Sequence, residues 1–138
     1  MKDEYTLRLK KIEEILQEML PSEFSKDWSE NAFGILPEAV NSEHIESLTS
    51  PCRNLLLLGG KRWRPLFLVL CAEMVQHNTD STLPYQLTPL VEFVHTASLI
   101  HDDIEDSADT RRGKPATHIT YGLDTAINAG SWLYFQAF

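Results

Sequence analysis

The chain has 138 residues, 43% of them apolar, which is the size and composition of one domain with a buried core. Its formal net charge of −8 at pH 7 argues against a general binder of nucleic acid or anionic membranes, since both need an extended basic face. The first 20 residues are charged and heptad-like, unlike a secretory signal, and the apolar run at 55–58 is too short to span a bilayer. We therefore expect a cytoplasmic protein with no transmembrane segment.

The spacing of apolar residues, prolines and glycines predicts helices throughout the chain. No alternating strand pattern and no linker are visible, and the two cysteines lack any metal-binding spacing. The fold class is therefore predicted to be all-α, in one helical domain over residues 1–138. In chain order, the first predicted elements are an amphipathic helix ending at Pro21, a short helix from Pro37 towards Thr49 closed by Pro51, and a short helix through Leu58. An apolar helix from Pro65 and a polar loop at 77–84 follow. A long helix then runs from Pro84 or Pro89 into the acidic segment, and a last helix begins at about Leu123.

The acidic segment HDDIEDSADTRRGKP, residues 101–115, concentrates carboxylates along one helical face. Asp102, Asp106 and Asp109 are spaced i, i+4 and i+7, and Asp103 lies three before Asp106. Like charges so spaced repel by roughly 0.2–0.5 kcal/mol per pair on an exposed helix, so a cation should offset them. Two interpretations stay open at this point. Either the following basic residues neutralise the acids, or a hard cation such as Mg²⁺ binds to carboxylate oxygens.

The second unusual segment is GGKRWRP, residues 59–65. Gly59 and Gly60 allow a turn, and three basic residues follow immediately before the predicted helix start at Pro65, namely Lys61, Arg62 and Arg64. Because a helix N-terminus already carries partial positive charge, cations are poorly placed there unless an anion binds between them. The alternative is a solvated basic turn. The GxxxxGK[ST] spacing of a Walker loop is absent.

Three motifs in this order, GGKRWRP, HTASLIHDDIED and DTRRGKPATH, resemble those of the trans-prenyl diphosphate synthases, the polyprenyl synthetase family. The resemblance implies an isoprenoid-synthase-type helical bundle, of which this chain holds the N-terminal half. It also implies a transferase that condenses isopentenyl diphosphate with an allylic diphosphate after Mg²⁺-assisted ionisation. Asp102, Asp103 and Asp106 match the first aspartate-rich motif, whose carboxylates bind Mg²⁺ bridging to the allylic diphosphate.

The same resemblance implies roles for further residues. Arg111 matches the arginine that holds the allylic diphosphate and acts with the aspartates in catalysis. Four residues match the isopentenyl diphosphate site, namely Lys61, Arg64, His95 and Arg112. Ala97 and Ser98 match the positions that gate the hydrocarbon tunnel, and their small size implies a geranylgeranyl or longer product, although tight helix packing would also select small residues.

The resemblance covers only part of the family pattern. Family members are longer, and the second aspartate-rich motif is absent from this sequence. The apolar C-terminal segment SWLYFQAF predicts self-association as a homodimer, contact with a second chain, or a truncated product. Two functional interpretations therefore stay open, a prenyltransferase half-site or a non-catalytic module that binds diphosphate or forms dimers. A purely structural helical protein is a third and weaker interpretation.

Overall fold

The computed structural model describes residues 2–75 and 82–138 as a helical bundle. The predicted all-α class is confirmed within this part of the chain. No helix in these two ranges is both long and apolar enough to cross a lipid bilayer. The elements are α1 (Lys2–Met19), α2 (Lys26–Phe33), α3 (Ser42–Leu57), α4 (Trp63–Val75), α5 (Leu83–Gln86), α6 (Thr88–Glu105), β1 (Thr110–Arg111), β2 (Lys114–Pro115), α7 (Thr117–Tyr121) and α8 (Leu123–Gln136).

Helix α6 lies at the centre of the bundle and packs most extensively against α8. Its buried stripe includes Phe93, Ala97 and Ile100, spaced four and three residues apart as a helix face requires. The facing side of α8 carries small residues such as Ala129 and Gly130, which let the two backbones approach closely. A Cβ at Gly130 would lie 2.8 Å from His101 Nε2. The core therefore fixes the orientation of the helix that ends in the aspartates.

Helix α3 contradicts the predicted break at Pro51. It runs unbroken from Ser42 to Leu57 with Pro51 inside it, and Asn41 caps its N-terminus. An internal proline costs about 3 kcal/mol because it removes a hydrogen bond and crowds the preceding turn. Burial of the face that contains Cys52 and Leu55 outweighs this cost, since each fully buried apolar side chain contributes roughly 1.5–3 kcal/mol.

Other boundaries also differ from the sequence prediction. Helices α2 and α7 were not predicted, because each is short and the segment around α2 is of mixed polarity. Pro37 begins a turn closed by the Val40 amide and not a helix. Of the two proline candidates for the start of the long helix, Pro89 is correct, because it lies in the first turn of α6, whereas Pro84 lies in the separate four-residue helix α5. Most of the loop predicted at 77–84 lies outside the described residues.

Helix α6 ends earlier than predicted, which corrects the placement of Asp109. Ser107 adopts the left-handed conformation at φ 53°, and the Ala108 amide donates to the Asp103 carbonyl at 2.8 Å. This is a Schellman cap, built here on serine where glycine is usual. Asp109 therefore lies beyond the helix, and the predicted face of four carboxylates is interrupted at Asp106.

A short β-hairpin follows, although no strand was predicted. Arg111 pairs with Lys114, and Arg112 and Gly113 form the two-residue loop with φ of 53° and 75°. Two positive φ angles are typical of a type I′ turn, whose twist matches that of paired strands. Two-residue strands are too short to show alternation, which explains why the sequence pattern missed them. The hairpin directs Arg111 towards Asp103 of α6 and Arg112 towards the Leu55 carbonyl of α3.

Candidate functional site

A polar cavity of about 230 Å³ lies between the loop before α4, the middle of α6 and the hairpin. Arg62 and Gly59, both with positive φ, shape the loop. The cavity brings together all four residues predicted from the resemblance to bind isopentenyl diphosphate, which are separated by up to 51 positions in the chain. It is lined by Gly60, Lys61, Arg62, Trp63, Arg64, Glu92, His95 and Arg112.

Arg64 and His95 contact each other directly in this cavity. Arg64 Nη1 lies 3.1 Å from His95 Nε2. An arginine can only donate, so Nε2 accepts and the imidazole carries its proton on Nδ1. Burial, followed by the charge of Arg64, lowers the pKa of His95 from its usual value. The Arg64 guanidinium also lies over the Trp63 ring, 4.6 Å from its centroid. These two contacts hold Arg64 at the cavity wall beside a neutral histidine.

The cations of the cavity fall into two groups. Arg62 is buried and pairs with Glu92 and Glu13, each through a 2.6 Å contact. Burial alone would lower the pKa of Arg62, but the two carboxylates raise it. Lys61, Arg64 and Arg112, in contrast, form no ion pair with any residue in 2–75 or 82–138. Three uncompensated cations around one space favour the binding of a multiply charged anion.

Arg112 reaches the cavity from the hairpin. Its Nη1 donates to the Leu55 carbonyl at 3.4 Å, and burial, together with the charge of Arg62, lowers its pKa. A Cβ at Gly60 would lie 3.2 Å from Arg112 Nη2. The absence of a side chain at Gly60 therefore leaves room for this guanidinium next to the cavity.

The second part of the candidate site lies at the C-terminal end of α6. Asp103 is fully buried, and both of its oxygens accept hydrogen bonds from Arg111 Nε, at 2.9 and 3.1 Å. Arg111 Nη2 makes a further contact with Asp103, and this pairing raises the pKa of Arg111. Asp102 and Asp106 are exposed, one helical turn apart. Asp102 lies seven positions after His95, or about 10 Å along the helix.

The donor set at this end fits a hard divalent cation. Asp102 and Asp106 offer carboxylate oxygens, and neither is engaged in an ion pair within the described ranges. Magnesium typically binds through one or two carboxylates and completes its shell with water and phosphate oxygens. No group of three or more histidine, cysteine or acidic side chains converges on one point in the described part of the chain. The carboxylates here therefore suit an ion that shares its ligands with a bound phosphate.

The two predicted tunnel residues have different surroundings. Ala97 is fully buried within the hydrophobic core. Ser98 is half-buried and lines an open, largely apolar cleft of about 540 Å³, beside Val94 and His95. Its hydroxyl donates to the His95 carbonyl at 2.8 Å, so it presents little polarity to the cleft. Only Ser98 of the two faces a space that a hydrocarbon chain could enter.

A model of the polyprenyl synthetase family matches residues 45–138. The chain belongs to this family. A geranylgeranyl diphosphate synthase of Methanosarcina mazei is 43% identical over 113 residues, which are 82% of this chain and 34% of the relative. A geranylfarnesyl diphosphate synthase of Aeropyrum pernix is 43% identical over 93 residues, which are 67% of this chain and 29% of the relative.

Solved structures confirm the fold of this polyprenyl synthetase family member. Heptaprenyl diphosphate synthase from Staphylococcus aureus superposes with a TM-score of 0.74 at 28% identity, over 96% of this chain and 35% of that structure. A polyprenyl synthase from Caulobacter crescentus, complexed with calcium and isoprenyl diphosphate, superposes with a TM-score of 0.67 at 26% identity, over 96% of this chain and 34% of that structure. The predicted isoprenoid-synthase-type bundle is thus confirmed. The chain spans about a third of the length of these relatives.

Two residues of the candidate site were not found by sequence reasoning. Glu92 lines the polar cavity described above, which is called the anion cavity from here on, and Glu13 contacts Arg62 from α1. Arg62 was noted as basic but was given no role. A usable signal did exist for Glu92, because it is a single carboxylate within the apolar run PLVEFV three residues before His95. No local signal marks Glu13, since acidic residues are frequent along α1.

Proposed function

We propose that this chain provides the diphosphate-binding half of a prenyltransferase site that condenses isopentenyl diphosphate with an allylic diphosphate to a geranylgeranyl or longer product. The observation that carries the proposal is the cavity in which Lys61, Arg64 and Arg112 meet without carboxylate partners among the described residues. A diphosphate would supply the negative charge that these three groups lack. The names of the matched relatives, all prenyl diphosphate synthases, support the same class of reaction.

In this proposal the cavity binds the diphosphate of isopentenyl diphosphate. Lys61 contributes a mobile point charge, whereas the two arginines contribute planar donors suited to phosphate oxygens. His95 positions Arg64 through the 3.1 Å contact and, being neutral, does not add a further charge to be desolvated. The ligand's double bond would then extend from the cavity along α6.

The allylic diphosphate is assigned to the end of α6. Asp103 holds Arg111 through two of its five N–H donors, and the remaining donors are available to a phosphate group. Asp102 and Asp106 would hold Mg²⁺, whereas Asp103, the third predicted ligand, is buried in this structure and both of its oxygens accept from Arg111. When bound, this ion would supply positive charge to offset the negative charge that develops on the leaving diphosphate. Arg111, prepositioned by Asp103, provides the same stabilisation from the protein.

The open cleft next to His95 has the lining that an allylic cation requires. Leu90, Val91 and Val94 present apolar side chains along one side of α6, with Ser98 at the same face. Excluding water from such a space favours attack by the double bond over hydrolysis of the cation. No covalent nucleophile is needed, and none is assigned.

One observation favours a second candidate function. Three acidic or histidine side chains do not converge anywhere in residues 2–75 and 82–138, so the described carboxylates alone do not form a closed metal site. A module that binds diphosphate without turning it over, or that mediates dimerisation, would need no such site. Association as a homodimer and a cytoplasmic location stay predictions from the sequence.

The experiment measures binding and turnover on the 138-residue chain. Calorimetry with inorganic pyrophosphate and Mg²⁺ should detect binding, and Lys61→Ala or Arg64→Ala should weaken it about tenfold or more, since a charged contact contributes roughly 1.5–3 kcal/mol. Lys10→Ala is the matched control, because Lys10 is exposed and its ion pair among the described residues is with Glu14. Labelled isopentenyl diphosphate with farnesyl diphosphate then tests turnover.

Elongated product would establish the prenyltransferase function. Binding without product would support the non-catalytic module. A folded chain that binds no pyrophosphate, with Asp102→Ala and Lys61→Ala both identical to wild type, would overturn both candidates and leave a structural role.

A further inference from the structure

Arg62 lines the anion cavity, yet its guanidinium is almost fully occupied by the protein. Nε donates to Glu13 at 2.6 Å and Nη1 to Glu92 at 2.6 Å. Nη2 donates to the Leu56 carbonyl at 2.7 Å and to the second Glu13 oxygen at 3.3 Å. Four of its five N–H donors are therefore in use. Unlike Lys61 and Arg64, this residue has little capacity left for a ligand.

The contacts of Arg62 connect three helices to the segment at 61–64, which carries two of the cavity cations. Glu13 lies on α1, the Leu56 carbonyl lies in the last turn of α3, and Glu92 lies on α6. The Arg62 backbone is left-handed at φ 46°, a conformation that is unfavourable for a non-glycine residue. Such strain persists where the surroundings hold the residue in place. Its neighbours Lys61 and Arg64 thus depend on how firmly Arg62 is held.

Glu92 makes this arrangement necessary for an anion site. Its side chain is 3% exposed and its residue lines the same cavity as the three unpaired cations. An unpaired carboxylate in that place would repel a diphosphate. Arg62 neutralises Glu92, but only while its guanidinium is oriented with Nη1 towards α6. Glu13 accepts from Nε and Nη2, on the other side of the guanidinium, and so fixes that orientation.

We propose that Glu13, on the N-terminal helix, is a positioning residue for the anion cavity and acts through Arg62. The inference rests on the proposed diphosphate-binding function of that cavity. It extends the site to α1, which lies outside residues 45–138 that match the family model. Glu13 contacts no ligand in this proposal. Its effect on binding comes entirely from holding the Arg62 side chain, and with it Lys61 in the loop and Arg64 in the first turn of α4.

The sign of the effect separates positioning from simple charge. Replacing Glu13 by an uncharged residue removes a negative charge near an anion site, and electrostatics alone would then strengthen the binding of pyrophosphate. Loss of positioning has the opposite sign. Glu13→Gln removes the same charge as Glu13→Ala but keeps an oxygen that accepts from Arg62. The two variants should therefore differ only if the contact itself is important.

The experiment is calorimetric titration of the 138-residue chain with inorganic pyrophosphate and Mg²⁺, with folding verified by circular dichroism. Glu13→Ala should weaken binding about tenfold, in the range that supporting contacts contribute around a bound ion, and Glu13→Gln should restore part of the loss. Glu14→Ala is the matched control, because Glu14 is the adjacent carboxylate and, within residues 2–75 and 82–138, pairs with Lys10 at 3.6 Å. It should leave the affinity unchanged.

Equal or tighter binding by both Glu13 variants would overturn the inference while leaving the proposed function intact. A folded wild-type chain that does not bind pyrophosphate would overturn the proposed function itself. If Glu13→Ala does not fold, Glu13→Gln alone decides the question, because charge predicts tighter binding and positioning predicts weaker binding.

Discussion

Replacing Asp103 by asparagine should destabilise the fold at the end of α6. Asp103 is fully buried, whereas the Arg111 side chain stays 30% exposed. Removing one partner of a buried pair costs about 3–5 kcal/mol, and hydrogen bonds to charged groups contribute about 1.5–3 kcal/mol. Because Arg111 can regain water when released, we expect a loss of about 2–3 kcal/mol in the free energy of unfolding. This is a large part of the total stability of a domain of this size.

Urea unfolding followed by circular dichroism measures this loss. The matched control is Asp106→Asn, since Asp106 is exposed three residues away and forms no ion pair in the described ranges; its effect should stay within about 0.5 kcal/mol. Arg111→Met and the double variant complete a thermodynamic cycle, which should give a coupling energy of at least about 1.5 kcal/mol. Equal stabilities of Asp103→Asn and Asp106→Asn, or a coupling near zero, would refute the assigned pair.

Three further predictions concern the surroundings of the site. Because the pKa of His95 is lowered in the folded state, the unfolded chain takes up a proton first as the pH falls below 6.5. The free energy of unfolding should therefore fall there, and His95→Gln should flatten this pH dependence in urea titrations. Ala97→Phe should lower the free energy of unfolding by at least about 1–3 kcal/mol, because Ala97 lies in the fully buried core. Ser98→Phe should leave the stability unchanged, because Ser98 lines the open cleft, and should weaken the binding of geranylgeranyl diphosphate but not of pyrophosphate. Cys71 is exposed and should react with a thiol reagent, whereas burial raises the pKa of Cys52 to about 12 and should block its reaction until the chain unfolds.

Each of these predictions has a clear contrary outcome. An unchanged pH slope in His95→Gln would show that this imidazole does not titrate differently in the two states. Equal stability of the two phenylalanine variants would place Ala97 and Ser98 in the same environment. Rapid modification of both thiols under native conditions would contradict the burial of Cys52.

The sequence predicted the central helix and the family well, because both depend on local patterns. The apolar spacing that ends in Asp102 identified α6, and the order of the three motifs indicated the family. The predicted helix boundaries at Pro51 and Ser107 were wrong because contacts beyond the local sequence pattern decide them. Proline usually ends a helix and serine rarely caps one with left-handed φ, but core burial and the Asp103 carbonyl reverse these local preferences.

The sequence by itself determined the helical class, the family and the set of charged groups near the site, since periodicity and motif order are properties of neighbouring residues. Only the tertiary structure decided which charges are paired. Asp103 pairs with Arg111, and Arg62 pairs with Glu13 and Glu92. Lys61, Arg64 and Arg112, in contrast, face a cavity without ion pairs among the described residues. Pairing depends on distances between helices far apart in the chain, and packing of the core sets those distances.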